Sequence, residues 1–445
     1  MADKYGSLYN RIVSYQITAV CREPLHVGGN SARSGGVLVH PVKRVPFIQA
    51  AGIAGAMRDY LAGDSMQDKL FGKSADGSDT GSRVRVSDAF FHGKVVSMEL
   101  RPRVKINRET GTCQSAQTKG AGNWSGQKFE TESVAAGSEL TFSLYLYEQE
   151  HKYEAALEQI LGALHAGNIQ LGGQKSNGCG YIRFLTVVKT DYDMTNAQDR
   201  NLWSKESKEG TSILETLENQ MSTLDQRVHF ELDGEIDSAL LIKAIAAQDY
   251  NEEAQSTEQM RTADGKILVP ATSIKGVVRS QMEKIAKFKG LPETELERIF
   301  GRNAEDEEKG YLGFIHFFDT IVDGAERPVQ KRIHIDKFTG GVMYGGLFNE
   351  TPVAGKLQIR VDLEKKDERA AGLLLMVLRD LGLGILPLGS GSSIGRGFMT
   401  GTELRVKDGT ELVVKINLQS RKIEQGAELI AEYVKAVVAV KGLNS

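Results

Sequence analysis

The sequence is poor in the features that mark several protein classes. It has only three cysteines in 445 residues and no CxxC pair, which argues against a disulfide framework and against a cysteine zinc site. It contains no long apolar run and no charged-then-apolar leader, so neither a membrane span nor a secretory signal is expected. With 40% hydrophobic and 25% charged residues, the chain is predicted to be a globular protein of the cytoplasm.

The motifs of the common enzyme classes are also missing. The sequence has no HExxH, no Walker loop, no dinucleotide fingerprint within a βαβ unit and no serine nucleophile elbow. The eight histidines are scattered. His26, His40 and His334 lie in or beside predicted strands, where a hydrogen-bonded structural histidine is commoner than a catalytic base. These observations turn attention from catalysis to binding.

The charge is unevenly distributed. Residues 1–128 contain 18 basic and 10 acidic residues, whereas the whole chain carries 55 basic and 58 acidic residues. An excess of one sign in one part of a chain indicates a surface that faces a polyanion. The alternative is an ordinary solvated surface, which charge counting alone does not exclude.

A glycine-rich stretch occurs twice. The segment 171–181 ends in Gly-x-Gly-Tyr, and 388–398, 217 positions later, ends in Gly-x-Gly-Phe. Glycine is needed where the backbone takes positive φ or approaches a ligand closely. Each loop is predicted to present backbone amides and one cation, Lys175 or Arg396, and the alternative is a tight turn without a ligand. The glycines concerned are Gly172, Gly173, Gly178, Gly180, Gly389, Gly391, Gly395 and Gly397.

Other segments repeat at similar offsets and indicate a duplicated domain. Leu70-Phe-Gly reappears as Ile299-Phe-Gly, and the basic segment that ends at Gly111 reappears before Gly340, both 229 positions later. The order of strands and helices predicts an α+β protein with two tandem ferredoxin-like, RNA-recognition-motif-like domains. The predicted bounds are 1–192 for the first domain, 193–224 for a linker with one helix, 225–420 for the second domain and 421–445 for a C-terminal helix.

The repeated motifs resemble those of a known family. The second repeat contains Leu268-Val-Pro-Ala-Thr-Ser-Ile-Lys-Gly276, Ile335-Asp-Lys-Phe-Thr-Gly-Gly341 and Gly346-Leu-Phe348, together with its glycine loop. This set is similar to the RAMP proteins, in particular the backbone subunits of type III CRISPR effector complexes. The first repeat departs from the pattern at its helix start, where Gln49-Ala-Ala-Gly-Ile53 stands.

The resemblance implies a set of partners and a role. Such subunits line up along a CRISPR guide RNA beside other effector subunits, and each one interrupts the guide–target RNA duplex with a β-hairpin thumb. A tandem protein would occupy two successive positions. No membrane partner is implied.

Binding of an RNA backbone needs cations and amides along a groove. The candidates lie at the two helix starts, on the basic strands before each thumb, in the first thumb, where an aromatic side chain could stack on a base, and in the glycine loops. For each set the alternative is a capped helix or a solvated surface. They are Arg58, Arg101, Arg103, Lys105, Arg108, Lys119, Trp124, Lys128, Lys175, Ser273, Lys275, Arg279, Lys331, Arg332, Lys337 and Arg396.

Catalysis rests on the resemblance as well. In the family, an aspartate in the loop before the conserved helix supports target-RNA cleavage with metal ions. The first repeat has no acid at 30–36, whereas Asp249 lies in the second loop, out of the expected register. No tightly bound cofactor is expected, and Mg²⁺ is implied only if the second domain cleaves RNA. The alternatives are therefore a metal-dependent endoribonuclease subunit, a stand-alone RNA-processing RAMP ribonuclease, and a structural protein without RNA.

Overall fold

The chain forms two compact units in the computed structural model. Unit 1 consists of Met1–Glu99, Glu132–Lys175 and Cys179–Asp225, and unit 2 of Leu100–Thr131, Ser176–Gly178 and Gln226–Ser445. The structure describes residues 9–28, 36–73, 80–92, 96–104, 107, 115–117, 124–126, 128–149, 151–205, 209–244, 255–302 and 310–438.

Both repeats mix helices with strands. Up to residue 225 the strands are β1 (Arg11–Cys21), β2 (Phe47–Ile48), β3 (Val84–Val86), β4 (Ala89–Phe91), β5 (Met98–Val104), β6 (Ser115–Gln117), β7 (Trp124–Gly126), β8 (Lys128–Val134), β9 (Glu139–Glu148), β10 (Ile182–Asp193) and β11 (Thr211–Ser212). The helices there are α1 (Ala50–Tyr60), α2 (Ser65–Phe71), α3 (Glu154–Ala166), α4 (Ala197–Ser204) and α5 (Leu214–Leu224).

The described residues of the second repeat form thirteen further strands and four further helices. Its strands are β12 (Val228–Leu240), β13 (Gln255–Glu258), β14 (Ile267–Val269), β15 (Gly301–Arg302), β16 (Tyr311–Leu312), β17 (Ile315–Phe317), β18 (Thr320–Glu326), β19 (Gln330–Ile335), β20 (Val342–Thr351), β21 (Val353–Leu363), β22 (Thr400–Asp408), β23 (Glu411–Asn417) and β24 (Lys422–Gln425). Its helices are α6 (Ala271–Lys289), α7 (Glu293–Phe300), α8 (Glu368–Gly382) and α9 (Ala427–Val437).

The main sheets of the two units have the same strand order. In unit 1 the order is β11-β10-β1-β9-β4-β2, with β3 also paired to β9. In unit 2 the order is β14-β18-β21-β12-β22-β23-β24, with β17 also paired to β21. The order β10-β1-β9-β4-β2 in unit 1 therefore corresponds, strand by strand, to the order β22-β12-β21-β18-β14 in unit 2. The protein is α+β, as predicted, and the shared order gives its two units one topology.

Hydrophobic periodicity explains the core of each unit. In α3, Leu157, Ile160, Leu161 and Leu164 follow the helical spacing and are fully buried or nearly so. They belong to one hydrophobic cluster with the inward-facing residues of β1, β9 and β10. In unit 2 the buried residues of α8 form a separate cluster with β12, β21 and β22. Each sheet is thus covered by the helix that precedes its glycine loop.

The segment 193–224, predicted as a linker, contains regular structure that packs on unit 1. Strand β11 pairs with β10, and Leu217 of α5 is fully buried. The indole of Trp203 in α4 makes edge contacts with Tyr145 and Tyr192 at centroid distances of 5.2 and 5.3 Å. The polar composition of the segment 193–224 obscured the few apolar residues that anchor it.

Helix α9 packs on α8 of unit 2. Among the described residues, no helix combines the length and apolar character needed to cross a membrane.

Candidate nucleic-acid interface

The two glycine loops close with the same hydrogen bonds. The amide of Leu171 donates to the carbonyl of Gly180 at 2.9 Å, and the amide of Leu388 donates to that of Gly397 at 2.8 Å. Gly180 and Gly397 have φ of 91° and 82°. A Cβ on either one would lie about 2 Å from the carbonyl oxygen of the paired leucine. These two glycines are therefore required by the closure of the turn itself.

Several amides of these loops already have protein partners. Gly173 donates to His26, Gly180 to Pro24, Gly395 to Ser392 and Gly397 to Ala239. These four amides thus do not meet the expectation of donors presented to a ligand. The remaining glycines of the two loops shape the turns, since Gly172, Gly178, Gly389 and Gly391 all have positive φ.

A buried carboxylate gathers the cations of the second loop. Glu350, 4% exposed, accepts from Arg396 at 2.8 Å and from Arg332 at 3.3 Å, and Lys243 lies 3.9 Å away. Arg396 is itself buried and also donates to Gln330. Burial alone would raise the pKa of the Glu350 carboxyl, but the hydrogen bonds from Arg396 and Arg332 outweigh it and hold this pKa below its ordinary value. Three cations facing one carboxylate leave the cluster positive.

This cluster lines a cavity of about 430 Å³ in unit 2. Its other walls combine polar and aromatic groups. The rings of His334 and Phe348 lie 4.9 Å apart, and the Arg332 guanidinium lies 5.7 Å from the Phe348 ring. Thr257, Ser390 and Gly391 complete the polar side. A positive cavity with an aromatic wall suits an anionic ligand that carries a flat ring.

The start of α6 is capped from within the protein. The amide of Ala271 donates to Asp319 at 2.8 Å, and that of Ser273 donates to the carbonyl of Pro270 at 2.9 Å. In α1 the amide of Ala50 donates to Asp88 at 2.7 Å in the same way. These bonds occupy the first amides of both helices, so both helix starts have the protein-capped form that the sequence left open as the alternative to RNA binding.

The predicted cations of α6 have protein partners as well. The Lys275 ammonium donates to the Ser176 hydroxyl at 2.8 Å within unit 2. Burial lowers the pKa of Lys275 to about 8, and the charges of Arg279 and Arg103 act in the same direction. Arg279 pairs with Glu283 at 3.1 Å. Arg58, its counterpart in α1, is exposed.

The basic strand of the first repeat is only partly described. Arg101 in β5 is buried and pairs with Asp319 at 2.6 Å, while Arg103 is half-buried. The period-two pattern predicted one basic face, but Arg101 is engaged by a carboxylate far away in sequence. The backbone of Trp124 and Lys128 lies in β7 and β8. Lys105, Arg108, Lys119 and the candidate catalytic Asp249 lie outside the described residues.

The second repeat presents its cations on an exposed hairpin, β19–β20. Lys331 on β19 and Lys337 in the turn are exposed, and Arg332 faces Glu350. Near the tip, Phe338 and Tyr344 are fully exposed. Asp336 holds the turn by accepting from the amides of Phe338 and Thr339 at 2.8 Å. The hairpin thus carries positive charge at its base and in its turn, and exposed aromatic rings near its tip.

Sequence reasoning missed four contributors to this region: Glu350, Lys243, Phe338 and Tyr344. The carboxylate and Lys243 meet Arg396 only through long-range pairing, so no local pattern marks them. The two aromatics flank the Thr-Gly-Gly turn in the sequence, and that signal was available. Lys175, by contrast, lies half-buried in the short 3₁₀ turn of the first loop.

One group of possible metal ligands occurs among the described residues. Oxygen or nitrogen atoms of Glu148, His151 and Glu154 lie within 4.8 Å of one another. Arg11 pairs with both carboxylates, and Lys189 pairs with Glu154. Burial would raise the pKa of Glu154, but the bonds from Lys189 and Arg11 lower it to about 2. Because cations of the protein already neutralise these carboxylates, the group does not fit a Mg²⁺ site.

Comparisons with known proteins agree on the family. The model of the RAMP superfamily matches residues 18–183 and 251–400. The CRISPR system Cms endoribonuclease Csm3 of Enterococcus italicus is 30% identical over 198 residues, which span 39% of this chain and 91% of that protein.

A solved structure also matches, more weakly. It is a chain of the type III-B Cmr-beta complex bound to cognate target RNA, with a TM-score of 0.31 and 16% identity. The match covers 41% of this chain and 62% of that one, so the chain spans less than two thirds of this neighbour.

Proposed function

The chain belongs to the RAMP superfamily, and from this membership we propose that it is a guide-RNA-binding backbone subunit of a type III CRISPR ribonucleoprotein. Its two units would be ferredoxin-like domains at two successive positions along the guide. The observation that carries the proposal is the strand order shared by the two units, together with the two family matches, one in each repeat of the sequence. The relative from Enterococcus, named as a CRISPR endoribonuclease, supports the same assignment.

The chemistry of unit 2 fits this role. Lys331 and Lys337 on the exposed hairpin would contact phosphates, and the positive cavity around Glu350 would receive one nucleotide of the guide. Phe338 and Tyr344 at the tip would act as a thumb, because a bare aromatic ring can replace a base in a stack. The hairpin would in this way interrupt the guide–target duplex.

The RNA carried by the purified protein tests the assignment. We expect the full chain, produced with the other subunits and the guide of its own system, to copurify with short RNA of uniform length. Recovery of protein without RNA, or with RNA of random length, would contradict the proposal.

A matched pair of double variants locates the interface. Lys331→Gln with Lys337→Gln should weaken binding of a guide RNA about tenfold at low salt and reduce the salt slope by roughly two phosphate contacts. Lys284→Gln with Lys287→Gln removes the same charge from exposed positions of α6 and should leave the slope unchanged. Equal losses in both pairs would show that only net charge matters.

Target cleavage by unit 2 is a second candidate function. The favouring observation is that the Enterococcus relative, matched over 91% of its length, is named as an endoribonuclease. Asp249 would hold or orient a catalytic Mg²⁺ in that case. In the assembled complex, Asp249→Ala should abolish cleavage at the site served by unit 2 while guide binding stays intact. Persistence of every cleavage product would remove this candidate.

A further inference from the structure

We infer that the surface of unit 1 around Asp88 docks a different protein subunit, one that presents an arginine from a β-strand. This inference rests on the proposed function, since it concerns how the subunit joins a larger assembly. An aspartate occupies the same place in both units and has different partners in each.

Asp88 and Asp319 hold equivalent positions. Asp88 directly precedes strand β4 and caps helix α1, which follows the short strand β2. Asp319 directly precedes strand β18 and caps helix α6, which follows the short strand β14. Asp88 Oδ1 accepts from the Ala50 amide at 2.7 Å, and Asp319 Oδ1 accepts from the Ala271 amide at 2.8 Å. The residues before the two helices, Gln49 and Pro270, provide no side-chain cap. The distant aspartate supplies that cap in both units.

In unit 2 the second oxygen of this aspartate is used too. Asp319 Oδ2 accepts from Arg101 at 2.6 Å, and both side chains are about one-tenth exposed. On the same surface, Ser176 bonds Lys275, and Gly178 lies against the Phe317 carbonyl, where a Cβ would approach to 2.3 Å. Arg101, Ser176 and Gly178 therefore cover this surface of unit 2.

The equivalent surface of unit 1 keeps the acid, and no described residue pairs with it as Arg101 pairs with Asp319. Asp88 is half-buried, and no described residue forms an ion pair with it. Val86 stands at the place of Phe317, and Ala54 at the place of Lys275. A carboxylate fixed through one oxygen and open at the other is preorganised to accept a guanidinium. The docked subunit therefore needs an arginine opposite Asp88. It needs no hydroxyl group like that of Ser176, because Ala54 stands at the place of Lys275.

A second copy of this chain does not meet that need. In the aligned repeat, Gln330 stands at the position of Arg101. Its side-chain oxygen already accepts from Arg396, and an amide cannot neutralise a carboxylate. Charge complementarity therefore selects another subunit, with arginine at the Arg101 position, over self-association.

The test uses the full chain assembled with the other subunits of its complex. Asp88→Asn keeps an oxygen for the Ala50 amide and removes the charge. We expect native mass spectrometry to show particles that have lost one neighbouring subunit, with binding weakened roughly 30-fold. Asp59→Asn, which removes the same charge from an exposed position near the end of α1, should keep the neighbour.

A photo-crosslinker at position 87 identifies what lies there. We expect crosslinks to an arginine-bearing strand of a different subunit. Crosslinks to a second copy or to RNA alone would overturn the inference, and so would full occupancy in the Asp88→Asn particle. If the wild-type particle holds no guide RNA, the proposed function fails. The Asp88 result then still decides the subunit contact by itself.

Discussion

The two repeats carry different residues at two aligned buried positions, one of which lies in the glycine loop. In the second repeat a buried ion pair joins Arg396 to Glu350. In the first repeat the aligned positions hold Cys179 and Thr131, both also buried. A buried ion pair is costly to desolvate, and neutral residues that pack well in its place can often replace it without loss of stability. The fold therefore does not need these charges, which points to a function for them in the second repeat.

The largest expected effect comes from breaking that ion pair on one side. Glu350→Gln leaves Arg396 buried without its counterion and should lower the unfolding free energy by about 3 kcal/mol. Glu326→Gln, which removes the exposed partner of Arg261, should cost less than about 1 kcal/mol. Urea denaturation measures both values.

Placing the residues of the first repeat, threonine and cysteine, at positions 350 and 396 sharpens the comparison. Glu350→Thr combined with Arg396→Cys should recover most of the lost stability, while guide RNA binding stays weak. If this double variant binds guide RNA as tightly as the wild-type protein does, the two charges serve neither stability nor RNA binding.

A smaller effect is expected at the glycines Gly178 and Gly395, which occupy the same place in the two loops. Both have positive φ, but a Cβ on Gly178 would clash with the Phe317 carbonyl, whereas a Cβ on Gly395 meets nothing within 4 Å. Gly178→Ala should therefore cost about 2 kcal/mol or more, and Gly395→Ala about 1 kcal/mol, in thermal unfolding. Equal losses would contradict the difference in packing.

A final effect depends on pH and on Lys275, whose counterpart in the first repeat is Ala54. Because the pKa of Lys275 is about 8 in the folded state and 10.5 in an ordinary lysine, the unfolded chain holds more protons between these values. The unfolding free energy should therefore rise with pH across this window. Below pH 8 the cost of the buried charge is fully present. Lys275→Ala should remove the rise, and a slope that survives would assign it to other groups.

Local patterns predicted much of the fold. The helices α1 and α3 and the strands β1 and β9 follow apolar periodicity, and the repeated glycines marked two turns that close alike. The segment 193–224 was predicted as a linker with one helix, and its packing on unit 1 was not foreseen because a few apolar residues, such as Leu217 and Trp203, are enough to anchor a polar segment.

The site was harder to predict than the fold, since its polar groups find partners across long stretches of chain. Arg101 meets Asp319, and Arg396 meets Glu350. A list of cations does not show which ones carboxylates engage, and only folding brings those carboxylates close. The helix amides of Ala50 and Ala271 were likewise taken up by aspartates 38 and 48 positions away.

The hairpin β19–β20 also affects how the protein can be handled. Strand β19 forms the edge of a three-stranded sheet, and Ile333, Ile335 and Val342 are exposed beside Phe338 and Tyr344. A bare edge with this composition templates strand addition and aggregation. Yield and solubility in an expression host should therefore depend on coproduction with whatever shields the hairpin, and a simple sedimentation assay of lysates would report that shielding.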